Sequence, residues 1–319
     1  MPNISPQQAD LLTLCALRIE KTSIDWHLIA RICQSPDGLA AMLTGEIPEE
    51  SAAARKNLPI LKAALRHIDE ARDRAQSEVD AAATAGARLV TVLDRDYPAN
   101  LRLVPNLPPF LFYCGDLLER DARSAAVVGT RNASEDGMRR AARMTRGLVE
   151  QNVAIFSGLA KGIDTAAHTA TLDVGGRTVA VMGTGIAAKI YPAENRPLAR
   201  RILNEGGALL SQFWPTSPPA TWTFPRRNVV TSGATLGSIV IEASSTSGAK
   251  MQARIAAEHG KHVFLLKSLA TREEWAAKMI ADGRAVEVVE LEDVLSRLGT
   301  AKRIQRAADQ RLQLALADL

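Results

Sequence analysis

Four loops between Gly129 and Lys250 share one design: an apolar run stops at glycine and small polar residues, and three of the four add a basic residue close by. VVGTRNASEDG offers Gly129, Thr130 and Arg131; SGLAKGIDTAAH offers Ser157, Gly158 and Lys161. GTGIAAKIYPAEN offers Gly183 and Gly185, and IEASSTSGAK ends on Ser247, Gly248 and Lys250. Backbone N–H groups at a strand-to-helix turn favour an anion, glycine lets backbone approach a ligand closely, and arginine adds a planar, permanently charged donor. The chemistry indicated is phosphate binding. A fifth stretch, FWPTSPPATWTFPRRN, interleaves aromatics with prolines and ends on Arg226, Arg227 and Asn228. Trp214, Trp222 or Phe224, where exposed, would stack on unpaired bases while the arginines hold the backbone, although any single large ring more commonly packs in a core.

Other chemistries fit less well. A dinucleotide fold needs G-x-G-x-x-G after its first strand and an acidic residue at the end of the second, whereas here the first loop is G-T-R-N-A-S and the second strand ends in Ser157-Gly158. Neither a Walker A sequence nor a kinase signature is present. Cys15, Cys33 and Cys114 are scattered singly and read as buried thiols, so no metal site and no cofactor are expected. Asp164 and His168 read as a charge in a first helical turn and a polar group four residues on, in preference to a catalytic dyad. No catalytic residue is assigned, and a binding protein is expected in place of an enzyme.

The elements that must hold these loops follow from periodicity. From Ala125 onward, AAVV, VAIF, TVAVM, ALLS, SIVIEA and HVFLL alternate with helix-like segments. Continuous apolarity suits strands covered on both faces, so the expected fold class is α/β, a Rossmann-like, doubly wound, mostly parallel sheet over 91–298. In such sheets ligands bind beyond the carboxyl ends of the strands, where the strand order reverses. A helix is expected soon after Arg131, with Ser134 as N-cap, and its cations Arg139, Arg143 and Arg146 share one face. Residues 1–90 read as a small helical domain in which Leu58, Leu61, Leu65 and Ile68 mark a buried face. Short strands are expected near Leu89–Leu93 and Phe110–Tyr113, and residues 299–319 read as one terminal helix with no winged-helix domain.

Charge distribution agrees with an anionic ligand. The 319 residues carry a formal +4; between Arg177 and Asn228 seven basic residues face two acidic ones, so that stretch holds +5 and the remainder −1. No segment approaches the roughly 18 uninterrupted apolar residues of a membrane span, and the first residues lack a basic signal-like region. A cytoplasmic protein without a membrane partner is expected.

In this order, VVGTRNASEDG, SGLAKGIDTAAH, VAVMGTGIAAKIYPAEN, FPRRN and IEASSTSGAKMQARIAAEHGKHVF, preceded by YPANLRLVPNLPPFLFYCGD, resemble the DNA-processing protein A family (DprA, also called Smf). The resemblance implies single-stranded DNA bound in a positive groove, a homodimer, and loading of a RecA-type recombinase during recombination or natural transformation. It implies that Arg131 and Lys161 lead the contacts to DNA phosphates, that Gly129, Thr130, Ser157 and Gly158 shape the phosphate turns, and that Arg227 and Asn228 match the family's R-N-R element. Three departures stand out: Val229 replaces the second arginine of that element, Lys267-Ser268 replaces a Pro-Gly pair, and no helix-hairpin-helix glycine pattern surrounds RIEKTSID. The alternative is a nucleotide sensor or phosphoribohydrolase-like protein of the same Rossmann variant, with a role in phage defence; the P-G-G-x-G-T-x-x-E signature of such enzymes is not found. The DNA-binding expectation requires Arg131, Lys161 and Arg227 to converge on one cradle.

Overall fold

A computed structural model of the chain describes residues 4–299; the terminal helix expected beyond Gly299 lies outside the described residues. The amino-terminal part comprises α1 (Pro6–Ala16), a hairpin of β1 (Arg18–Ile19) and β2 (Thr22–Ser23), α2 (Trp26–Ile32), α3 (Gly38–Leu43), α4 (Ala52–Ala64) and α5 (Ile68–Thr84). α1 starts where its sequence dictates: Ser5 Oγ accepts from the Gln8 N–H, the Gln8 side chain accepts from the Ser5 N–H, and Pro6 fills the first turn. A 3₁₀ turn at Leu65–His67 divides the long helical stretch into α4 and α5. The buried line of α4 runs through Ala54, Asn57, Leu61 and Ala64, whereas Leu58, Leu65 and Ile68 are only half-buried. Asn57 shifts that line, because its side chain accepts from the Asp25 N–H (3.0 Å) and donates to Ala53 O (2.9 Å), tying α4 to the start of α2.

A nine-stranded sheet follows, made of β3 (Arg88–Thr91), β4 (Phe110–Gly115), β5 (Ser124–Val128), β6 (Ala154–Ser157), β7 (Thr178–Val181), β8 (Ala208–Ser211), β9 (Gly237–Val240), β10 (His262–Leu266) and β11 (Val286–Val288). The connections carry α6 (Glu135–Glu150), α7 (Ile163–Leu172), α8 (Arg196–Asn204), α9 (Thr223–Gly233), α10 (Gly248–Glu258), the short α11 (Lys267–Ala270), α12 (Glu274–Ala281) and α13 (Glu292–Leu298). Spatial order is β11-β10-β9-β5-β6-β7-β8-β4-β3, parallel from β11 to β8 and antiparallel at β4 and β3. The fold is therefore a doubly wound, mostly parallel α/β sheet with a helical amino-terminal part. Each of the six apolar runs read from the sequence overlaps a strand, and β5 to β9 are buried throughout. The strand missed is β11, whose V-E-V pattern at the sheet edge carries too little apolarity to be read.

From β5 the chain steps outward through β6, β7 and β8, then α9 carries it back to β9 on the other side of β5. The order reverses between β5 and β9, so the crevice at their carboxyl ends is the expected ligand position. That crevice is held together by a helix cap supplied from outside the helix. Ser134 caps α6 and accepts from the Gly137 N–H at 2.9 Å. In a capping box the residue at the place of Gly137 would return a carboxylate to the cap. Here the carboxylate comes from Glu242 after β9, which accepts from Ser134 N–H (3.2 Å) and Oγ–H (2.9 Å), while Thr130 N–H donates to Glu242 O at 2.7 Å. A Cβ on Gly137 would lie 1.8 Å from Glu242 Oε2, so the absence of a side chain there makes room for the exchange.

The amino-terminal helices share one core with the β7–β8–β4–β3 side of the sheet, and a second core serves β5, β9, β10 and β11. Phe110 of β4 lies 5.0 Å from Trp26 and 4.8 Å from Trp214, and Gln8 donates to Asp94 at 2.8 Å. β3 itself straddles the 90/91 division drawn from sequence. Phe110→Ala is expected to cost about 3–5 kcal/mol and to loosen both parts together in one urea transition; a cost below about 1 kcal/mol would show that the aromatic contact does not join them.

Candidate phosphate-binding cleft at the strand-order reversal

A cleft of about 380 Å³ opens at the carboxyl ends of β5 and β9. Gly129, Thr130 and Arg131 form one wall, Arg227 and Asn228 from the first turns of α9 another, and Ser247 and Gly248 at the start of α10 a third. Seven of the residues singled out from sequence thus meet in one place. The cleft is also lined by Asn132, Ser244, Thr246 and Met251, which were not singled out. The small polar run SSTS, which holds Ser244 and Thr246, was the available signal for two of them, but no single hydroxyl there stands out by type.

Arg227 organises the floor. It is only 8% exposed, its Nη1 donates to Val181 O at 2.9 Å, and its Nε has no hydrogen-bond partner among the described residues. A Cβ on Gly158 would lie 1.6 Å from Nη1, so the guanidinium occupies the space a side chain would fill. Burial pushes this arginine below its ordinary range; Asp164 opposes that shift and Arg131 reinforces it. Asp164 is itself buried and accepts from the Gly158 (3.1 Å) and Ala160 (3.3 Å) N–H groups. Burial raises its pKa, with the Arg227 charge and these N–H groups pulling the other way. Asp164 stands in the first turn of α7, as read from sequence, and its charge also opposes that of Arg227.

The rim is aromatic and cationic. Arg131 is exposed and lies 5.1 Å from the centre of the Phe224 ring, which lies 5.6 Å from Tyr191. Arg226 lies 5.1 Å from the ring of Trp222, which is 54% exposed. Trp214, the other tryptophan of that stretch, is taken up by the contacts with Phe110 and Trp26 and presents no stacking face to this rim.

Several sequence-based placements need correction. Lys161 does not line the cleft: it faces a neighbouring groove between α6 and α7, and its Nζ pairs with Glu194 at 2.6 Å. Between Lys161 and the start of α7 the chain turns at Gly162, with φ +76°. Lys250 lies one turn into α10 with its ammonium 5.9 Å from the Trp275 ring, away from the cleft. Ser157 points inward, donating to Val127 O at 2.6 Å, so its hydroxyl joins β6 to β5. Gly183 lies against the Phe224 ring and Gly185 against the Trp214 and Pro215 carbonyls; both permit close packing behind the rim and do not line the cleft. The basic surplus of 177–228 is likewise dispersed. Arg177 is buried and makes a two-point pair with Asp121 (2.9 and 2.7 Å), and Arg201 pairs with Asp173 and Glu205. The cradle is therefore Arg131 and Arg227 with Arg226 at the rim, and Lys161 stands apart.

His168 lies beneath, fully buried on α7. Thr178 Oγ1 donates to Ile155 O at 2.9 Å, so it accepts from His168 Nδ1 at 2.7 Å. Burial, aided by the Arg227 charge, lowers its pKa to about 3. Among the described residues no group of His, Cys, Asp or Glu could hold a metal ion, and no helix is long and apolar enough to cross a membrane.

Two outcomes follow. Gly158→Ala should displace the Arg227 guanidinium and lower stability by roughly 1–3 kcal/mol; an unchanged melting temperature would mean that the guanidinium has another place to go. A histidine whose folded pKa lies below its unfolded value keeps its full contribution above about pH 6.5 and loses it as the pH falls toward the folded pKa. Between pH 6 and 4 wild type should therefore lose about 1.4 kcal/mol per pH unit more than His168→Asn. Parallel denaturation curves for the two proteins across that range would contradict the assignment.

Comparisons with known proteins bear on the same region. The family model for DNA recombination-mediator protein A matches residues 88–299. Over 230 residues the chain is 35% identical to Protein Smf of Synechocystis sp., covering 70% of this chain and 57% of that protein. It is 39% identical over 204 residues to Protein Smf of Escherichia coli (63% and 54% covered) and 40% identical over 176 residues to DNA processing protein DprA of Streptococcus pneumoniae (55% and 61%). The chain thus spans between 54% and 61% of the length of these three relatives. The crystal structure of the Streptococcus pneumoniae protein superposes with a TM-score of 0.72 at 30% identity, covering 93% of this chain and 98% of that one. A Helicobacter pylori DNA processing protein A, described as having a unique single-stranded DNA binding mode, shares the fold at 21% identity and a TM-score of 0.58, covering 66% and 95%.

Proposed function

This chain belongs to the DNA recombination-mediator protein A family, and from that premise we propose that it binds single-stranded DNA at the strand-order reversal and hands it to a RecA-type recombinase. The observation that carries the reading is the convergence of Arg131 and Arg227 in one cleft, with Trp222, Phe224 and Tyr191 beside it. Unpaired bases expose π-faces that a duplex hides, and exposed rings next to arginines accept them without regard to sequence. Arg226 above Trp222 and Arg131 above Phe224 provide that combination twice on the rim. The single-stranded DNA binding described for the Helicobacter pylori relative supports the same reading.

The proposal is of a binding protein, working in the cytoplasm as a homodimer, and not of an enzyme. Asp164, which lines the cleft, and His168 beneath it are both buried; the Asp164 charge opposes that of Arg227 and His168 donates to Thr178. That leaves no exposed acid–base pair at the cleft to which a catalytic role would be given.

Fluorescence anisotropy with single- and double-stranded oligonucleotides at two salt concentrations, alongside light scattering, tests the reading. Single strands should bind more tightly than duplex, with affinity falling as salt rises. Arg131→Ala should weaken binding to all sequences alike and reduce the logarithmic salt slope by about 0.7, the value for one phosphate contact on a single strand. Lys161→Ala should do less, because its charge is already shared with Glu194. Equal affinity for single and double strands would sink the proposal. Recombinase delivery is tested separately, by the rate at which RecA filaments assemble on strands coated with single-strand-binding protein; no acceleration would remove that part.

A further inference from the structure

The cleft has features that a phosphodiester groove does not require. Arg227 is more than nine-tenths buried at the floor of the cleft, and its charge is opposed there by the Asp164 carboxylate alone among the cleft-lining residues. The volume of about 380 Å³ falls at the small end of ligand sites, roughly 300–1,000 Å³. A single nucleotide fits a space of that size.

The charge is also larger than one diester needs. Arg131 and Arg227 bring two positive charges and Asp164 removes one. The first turns of α9 and α10 both face the cleft, and α9 has no side-chain cap on its N-terminus. Each helix start adds the equivalent of about half a positive charge, which brings the total near +2. An internal phosphodiester carries a single negative charge, whereas a phosphate monoester carries about −1.5 to −2 at neutral pH. Hydroxyls of Thr130, Thr246 and Ser247 stand around the same space, and Phe224 and Met251 provide an apolar side against which a base could lie.

We infer that this cleft takes a nucleotide phosphomonoester, either the 5′-phosphorylated end of a DNA strand or a free nucleoside 5′-monophosphate, in preference to an internal phosphodiester. The inference rests on the reading of this site as a nucleic-acid interface and adds the kind of phosphate it selects. Bound there, the terminal phosphate meets Arg227 at the floor and Arg131 at the mouth, and the remainder of the strand leaves over Trp222 and Arg226.

The test compares short oligothymidylates of one length carrying a 5′-phosphate, a 3′-phosphate or no terminal phosphate, together with a circular strand, thymidine 5′-monophosphate and thymidine. The 5′-phosphorylated strand should bind about tenfold more tightly than the unphosphorylated one, the gain expected of one or two charge-assisted hydrogen bonds. The 3′-phosphorylated strand has the same charge and should gain little. Thymidine 5′-monophosphate should compete with the 5′-phosphorylated strand where thymidine does not. In Arg131→Ala, an exposed position whose loss does not threaten folding, the preference should shrink toward unity. Equal binding of 5′-phosphorylated, 3′-phosphorylated and unphosphorylated strands overturns the inference while leaving the interface reading intact, as would tight binding of the circular strand with no competition by the mononucleotide. Binding of the mononucleotide with no affinity for any strand removes the interface reading and keeps the phosphomonoester site. No binding of either class overturns both.

Discussion

A buried arginine beneath the crevice is the constraint around which this molecule is arranged. A guanidinium taken out of water demands acceptors and a counter-charge. The fold supplies Val181 O from β7, the Asp164 carboxylate from the first turn of α7, and the side-chain-free surface of Gly158. Val181 lies at the end of β7, and both Asp164 and Gly158 belong to the junction between β6 and α7, so one side chain from α9 ties these two junctions together. Asp164 in turn is fixed by the N–H groups of the loop it follows. The result is a rigid floor whose charge is only partly cancelled, with exposed Arg131 above it.

The sheet topology explains why this happens at one crevice and not elsewhere. Winding outward from β5 through β8 and returning to β9 separates the helices on either side of the β5–β9 boundary, so the loops there are not covered by a crossover. Helices α9 and α10 then bring their starts to the same opening. The amino-terminal helices lie on the far flank, where Phe110, Trp26 and Trp214 bind them to β4 and the segment after β8. They stabilise the side of the sheet from which the aromatic rim extends and contribute no residue to the cleft.

Much of this was legible in the residues. Six apolar runs marked six strands, because a strand covered on both faces must be apolar at every position. Ser134 and Ser247 marked helix starts, because a hydroxyl there satisfies an otherwise unpaired N–H. What sequence could not show was direction. Arg131, Lys161 and Lys250 all follow strands, but of the three only Arg131 lines the crevice, and Lys161 faces a neighbouring groove. Net charge misled for a related reason: Arg177 and Arg201 are counted as surplus in the 177–228 stretch but are matched from outside it by Asp121 and Asp173, the first of which lies 56 residues from its arginine along the chain. The first-turn position of Asp164 was legible, but its influence on Arg227 was not, because α9 brings that arginine in from a distant part of the chain.

The borrowed cap of α6 has a consequence for how this fold can vary. The space over position 137 and the carboxylate at position 242 are two halves of one arrangement, so neither can drift independently. A glutamate at 137 would furnish the cap from within the helix and release 242 to shorten or change character; with glutamate at 242, a side chain at 137 would push that carboxylate off the cap. Homologous sequences should accordingly divide into two mutually exclusive pairings at these sites, and the covariation would trace a contact between segments more than a hundred residues apart.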